Sequence, residues 1–264
     1  DFDGNEAQTK NSFWFTNPHN WKVPAVRAKS FIEFQSKGHN YKYKVRSPYT
    51  IGLVKEVEVK DFVLEAQLQQ TGKEYGHRDM CIFYNFQDRS HFYYTHIASV
   101  TDSHAHNCFI VNDKPRTKIS HETTKGHKWG SKDWHDVRLV REHASGKIEV
   151  YVNDMKKPIM RAIDKTFDWG LVGFGSFDDT GRVRNIRLYS PESRKSKAGD
   201  PFVDGENNAL YPLSLAIFPG EEAAVQTSSV FAKCRCSFFS EPFCFLAMKV
   251  PFYQVDAFAD SLFS

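Results

Sequence analysis

The chain has 264 residues, 41% hydrophobic and 25% charged, with 35 basic against 32 acidic side chains for a net charge of +3. That apolar fraction supports a packed core and excludes global disorder, and basic residues scattered among acidic ones argue against a nucleic-acid partner. No apolar run approaches the roughly 18 residues a membrane-spanning helix needs, and the first residue is Asp1 with no basic-then-apolar leader before it, which reads as a mature or trimmed form compatible with export.

Hydrophobic alternation of period two recurs through the first 190 residues, while helical stripes are nearly absent. An aromatic content of 15% also favours pleated, half-buried surfaces. In chain order, strands are predicted at 30–35, 49–55, 61–70, 79–86, 91–98, 107–112, 134–142, 147–152, 169–177 and 182–189. The 61–70 stretch is the clearest: Phe62, Leu64, Ala66 and Leu68 point one way, Val63, Glu65, Gln67 and Gln69 the other. Turn chemistry at Thr71-Gly72, Asp102-Ser103, Ser145-Gly146, Asn153-Asp154 and Thr180-Gly181 separates many of them. Many strands without intervening helices give an all-β fold class, a two-sheet antiparallel jelly-roll sandwich over residues 1–190.

Residues 191–201, PESRKSKAGDP, read as an exposed linker. Beyond them, 202–264 is an irregular C-terminal extension with apolar runs around Leu213–Phe218 and a Phe- and Cys-rich stretch at 231–247. It fits a docking extension, a poorly ordered tail, or sequence not shaped by selection for folding. Cys81 and Cys108 lie in the main domain and Cys234, Cys236 and Cys244 in the tail, without the paired spacing of a zinc site. A disulfide between Cys81 and Cys108 requires neighbouring strands; two buried free thiols are the simpler expectation.

Polar and aromatic residues crowd the stretch 77–116. In strand 91–98, alternation puts Phe92, Tyr94, His96 and Ala98 on one face and His91, Tyr93, Thr95 and Ile97 on the other. Aromatic rings stack on the C–H face of a pyranose while Asn, Arg and His satisfy its hydroxyls, so the cluster reads as a sugar site. Tyr94, His96 and Arg116 would be the groups for catalysis if the chain is an enzyme, and His77, Arg78, Tyr84, Asn85, His106, Asn107 and Trp129 would line the site. β-Elimination of a uronate could use such a Tyr, His and Arg set, and the competing classes are other glycan-cleaving chemistry, pure glycan binding, and a protein-interaction module. Asp102, His104 and His106 have a spacing that can hold a transition metal, though two loop histidines are more often simply solvated; no metal ligand is assigned. Trp129, Trp134 and Trp169 are expected between the sheets, with a stacking role left open for Trp129. Gly170, Gly173 and Gly175 are expected where backbones approach closely.

The stretches WHDVRLVRE at 134–142 and HASGKIEVYVND at 143–154, with WGLVGFGSFDDTGRVRNIRLYS at 169–190, resemble the corresponding strands and closing hairpin of the concanavalin A-like lectin/glucanase superfamily. Within it the chain is most similar to bacterial laminin-G-like and 3-keto-disaccharide-hydrolase-like domains, whose starts resemble Phe2-Asp3-Gly4. The resemblance implies a sandwich with a carbohydrate-binding concave face and a poly- or oligosaccharide partner. It also implies an extracellular, periplasmic or cell-surface location, and a structural Ca²⁺, for which Asp1, Asp3, Asn5, Asp178 and Asp179 could supply oxygens. The Glu-x-Asp-x-x-Glu run of the superfamily's glucanases is absent from 1–190, so that mechanism is disfavoured.

Overall fold

A computed structural model describes residues 11–23, 31–38, 40–196 and 199–203. The first half contributes β1 (Phe13–Phe15), β2 (Trp21–Lys22), β3 (Ile32–Phe34), β4 (Thr50–Val54), β5 (Val57–Val59), β6 (Phe62–Gln70), β7 (Asp79–Asp88) and β8 (His91–Ala98). The second half contributes β9 (Asn107–Asn112), β10 (Thr117–Lys118), β11 (Ser120–Thr123), β12 (His135–Glu142), β13 (Lys147–Val152), β14 (Met160–Ile163), β15 (Leu171–Ser176), β16 (Gly181–Tyr189) and β17 (Ser193–Lys195). A seven-stranded sheet runs β1-β4-β15-β7-β8-β9-β10, and an eight-stranded sheet runs β11-β14-β13-β12-β6-β16-β3-β2. All paired strands are antiparallel, so the all-β jelly-roll sandwich expected from the sequence is the fold observed.

Every strand predicted from alternation is present, with ends within two residues. The strands not predicted are short ones such as β2, β10 and β14, which hold too few residues to show a period and are held by pairing with longer neighbours. One of them, the exposed β17, falls inside the stretch 191–201 and pairs with β5, Ser193 opposite Val59 and Lys195 opposite Val57.

The core between the sheets is built from the inward faces of both, including Phe34, Phe62, Leu64, Leu68, Ile82, Tyr84, Tyr93, Ile97, Leu139 and Val150. A second apolar cluster covers the outer face of the seven-stranded sheet: Ile51, Leu53, Phe83, Phe86, Phe92, Tyr94, Phe109 and Val111, roofed by Tyr41, Val45, Tyr49 and Phe202. β7 shows the cause, for it is buried at every position from Asp79 to Phe86. Its Met80, Ile82 and Tyr84 face the inter-sheet core, and its Cys81 and Phe83 face outward. Each such aromatic ring withdrawn from water contributes roughly 1.5–3 kcal/mol, enough to hold a roof over a face that the sequence reading left as an open groove. The sheet itself packs closely at Gly173, where an added Cβ would lie 2.1 Å from the Gly52 carbonyl oxygen.

Candidate functional site

The outer face of the seven-stranded sheet is apolar over most of its length and polar at one end. At its polar end, cross-strand pairing sets Gly175 beside Cys81, Cys81 beside His96 and His96 beside Asn107, so consecutive strands place their polar side chains in one row. Asp79, two residues before Cys81 on the same face of β7, is fully buried. Its carboxylate accepts from Phe177 N at 2.9 Å, Ser176 Oγ at 2.8 Å and Cys81 Sγ at 3.1 Å. Asp179 arrives from the β15–β16 turn; its Oδ2 accepts from the Asp79 backbone N–H at 3.0 Å and from Tyr75 Oη at 2.8 Å. Burial raises both carboxyls above the ordinary carboxylate range, and for Asp79 the neighbouring Asp179 adds to the effect, so the pair retains a proton where an exposed aspartate has lost it.

His96 faces this pair, its Nε2 3.7 Å from Asp79 Oδ2, while its Nδ1 accepts from the His106 backbone N–H. That assigns the remaining ring proton to Nε2. Burial, with Arg116 nearby, pushes the ring down to about 3, so it is neutral. Above the row lies Arg116, whose guanidinium sits 4.4 Å from the centroid of the Phe177 ring and 5.7 Å from that of Phe109. Arg46 approaches the same Phe177 ring at 5.8 Å, and Tyr49 meets it edge-on at 5.9 Å. Phe177 is therefore a hub of ring and guanidinium contacts at this end. Tyr75 is 44% exposed, and Asp178 is exposed beside it, its carbonyl accepting from the Ser36 hydroxyl.

The structure brings together part of the set anticipated from sequence. Arg116 is half-buried at the rim, Tyr94, His96 and Asn107 form the floor, and His77 lies exposed at the edge, 2.5 Å from Asp102 Oδ2. The other residues are elsewhere. Tyr84 points into the inter-sheet core. Asn85, at a bulge with φ 44°, turns its amide to the carbonyls of Val59, Lys60 and Asp168, because an Asn tolerates the left-handed backbone that a bulge imposes. Trp129 is 1% exposed and donates to the Ile97 carbonyl, which removes the stacking role. Trp134 and Trp169, expected between the sheets, are instead half-buried beneath the guanidinium groups of Arg184 and Arg194. Arg78 is spent on Gln70 and the Gly130 carbonyl. Sequence reasoning missed Asp79 as a buried acid, Asp179 as its partner, and Phe177 as a platform.

The expected metal arrangements separate as well. Asp102 Oδ1 accepts from the backbone of His104 and Ala105, and buried His106 bonds Thr124 Oγ1 and the Ala98 N–H, so these residues do not converge on a common point. Asp1, Asp3 and Asn5 lie outside the described residues. Asp79, Asp178 and Asp179 do converge, one carboxylate oxygen of each within 4.8 Å of the others. The oxygens of Asp79 and Oδ2 of Asp179 are already taken by protein donors, however, leaving far fewer than the six to eight oxygens Ca²⁺ takes. Among the described residues, the Asp178 carboxylate and Oδ1 of Asp179 are the oxygens of this cluster that none of these donors engages. Cys81 and Cys108 are buried free thiols: β8 lies between their strands, and they face opposite sides of the sheet.

No family model and no curated protein matches the chain. Solved structures do. A carbohydrate-binding module from Bacillus subtilis aligns with TM-score 0.47 at 14% identity, covering 67% of this chain and 94% of that one. A putative glycosyl hydrolase from Parabacteroides distasonis gives 0.43 at 14%, covering 68% and 94%. A lectin from Griffonia simplicifolia gives 0.44 at 10%, covering 70% and 94%. By its two packed antiparallel sheets and their crossover strand order, the described part of the chain is a two-sheet jelly-roll sandwich.

Proposed function

We propose that the chain is a carbohydrate-recognition domain that holds a poly- or oligosaccharide at the open, polar end of the outer face of the seven-stranded sheet, as part of an extracellular, periplasmic or cell-surface protein. The observation that carries the reading is Arg116 laid on Phe177 at 4.4 Å, with Tyr49, Arg46 and Tyr75 around it. A rim of ring faces and fixed donors is what a pyranose needs, its C–H face stacking while its hydroxyls are bonded. The floor is rigid, because its side chains are locked by cross-strand pairing and hydrogen bonds, so little ordering accompanies binding.

Binding fits better than cleavage. The acid–base candidates are sealed: Tyr94 and Asp79 are 0% exposed and His96 is 4% exposed, and burial raises the Tyr94 hydroxyl well above its ordinary value, so no proton acceptor of this set reaches a substrate. The test is to pass the full chain over a panel of immobilised neutral and acidic polysaccharides while assaying for new reducing or unsaturated ends. Retention without new ends, lost in Arg116→Ala and Phe177→Ala variants that keep their melting temperature, is the expected result. New ends would make the chain an enzyme, and no retention on any glycan would move the reading to a protein partner.

A further inference from the structure

Arg116 is the group whose environment is incomplete. Its Nε and Nη1 are shielded from solvent and have no hydrogen-bond partner among the described residues, and no carboxylate of those residues forms an ion pair with it. The buried arginines are used differently: Arg78 and Arg141 donate to backbone carbonyls that hold loops in place, although Nε of Arg141 is also unpartnered. The hydroxyl of Tyr94 and Oδ1 of Asn107, both on fully buried residues of the same face, are unpartnered as well. A shielded guanidinium without acceptors is costly, and the nearby carboxyls of Asp79 and Asp179 retain a proton and are committed to other donors. What is missing is an anionic acceptor, the partner a guanidinium pairs with best.

Resting on the glycan-binding reading above, we infer that the occupant is an acidic polysaccharide whose uronic-acid carboxylate is received by Arg116, with the ring carrying it stacked against the Phe177 rim. The ligand's carboxylate supplies the charge-assisted hydrogen bonds that the described residues do not, on a donor that lies over two aromatic rings. Neutral sugars satisfy the rim but leave the guanidinium unpaired, and the affinity difference between the two is the specificity of the site.

The test varies the ligand before the protein. The full chain is titrated with a uronate oligosaccharide and with the same oligosaccharide after reduction of its carboxyl groups to primary alcohols. Wild-type protein binds the carboxylate form about 10- to 100-fold more tightly, the range lost when a charged hydrogen-bonding partner is removed. Arg116→Lys, which keeps the charge and loses the fork, brings the two forms to within a few-fold of each other. Equal affinity of wild-type protein for both forms overturns the carboxylate assignment while leaving glycan binding standing. Tight binding of a sulfated polymer with none of the uronate does the same, and binding of neither form or any other sugar sinks the function with it.

Discussion

Asp79 and Asp179, a hundred residues apart, share one buried spot: the backbone N–H of Asp79 donates to Asp179 Oδ2 at 3.0 Å, and both carboxyls are raised by burial. A protonated Asp79 is close to an asparagine in shape and in hydrogen bonding. Asp79→Asn keeps an oxygen for the Phe177 and Cys81 donors and turns its NH₂ to Ser176 Oγ, so it should change stability by less than about 1 kcal/mol. Asp79→Ala strands the buried Phe177 N–H and should cost about 2–4 kcal/mol. Urea unfolding of both variants checks this; an asparagine as damaging as the alanine would show that the native carboxyl is ionised.

Stability should fall as the solution is acidified below pH 6.5. Burial pushes His96 down to about 3 and His106 and His127 to about 4, so the folded chain holds these rings neutral while the unfolded chain takes up protons below about 6.5. A group with a depressed folded pKa of this kind stabilises the fold above its unfolded value and loses that contribution as pH falls. The raised Asp79–Asp179 pair acts in the opposite sense, binding its proton more tightly when folded, and offsets one of the three. His91 also opposes, but only above pH 6.5: burial works against its charged form, yet the carboxylates of Asp88 and Asp113 raise it. Near pH 5 the unfolding free energy should drop by about 2–3 kcal/mol per pH unit. Denaturation midpoints at pH 7, 6 and 5 measure the slope, which His127→Gln should reduce by about half. A flat profile would mean that the rings ionise in place.

The long strands were legible because a half-buried sheet imposes a period of two that survives in any ten residues. What alternation could not reveal was that the second face of β7 and β8 is also roofed. Phe83, Phe92 and Tyr94 have the pattern of groove aromatics, and the roofing stretch, YKYKVRSPY at 41–49, shows no period at all. A polar-looking segment can cover an apolar face with a few rings, here Tyr41, Val45 and Tyr49, while its lysines stay in water. Of the site, Arg116 and His96 were visible as polar residues in a dense stretch, whereas the Asp79–Asp179 pair depends on a sheet order that joins β7 to β15. Asp178-Asp179 after a glycine-spaced strand was the only local signal, and turns produce the same one.

Tyr94 offers a variant that separates stability from recognition. Its hydroxyl is buried without a partner among the described residues, while its ring packs on Phe83 at 6.0 Å and Phe109 at 5.1 Å. Tyr94→Phe keeps both contacts and removes a desolvated group, so the melting temperature should hold or rise, by an amount corresponding to at most about 1 kcal/mol. Because the hydroxyl is sealed from solvent, retention on the polysaccharide should be unchanged in the same variant. A destabilised Tyr94→Phe would reveal a native hydrogen bond to the hydroxyl, and weakened retention would show that the ligand reaches it.

The two thiols of the sandwich should be inert in the folded protein. Burial raises Cys81 well above its ordinary value and pushes Cys108 up to about 12; only a thiolate attacks an alkylating agent. Cys81 also donates to Asp79, and Cys108 packs between the sheets, so neither meets reagent without opening of the sheet. Iodoacetamide applied at pH 8 to native and to urea-unfolded protein, followed by peptide mass mapping, reads each cysteine separately from those of the tail. Cys81 and Cys108 should stay unmodified in the native sample and label fully in the unfolded one. Labelling of Cys81 under native conditions would mean that the polar end of the face opens far enough to admit a small molecule down to Asp79, and would return the sealed acid pair to the list of groups a substrate can reach.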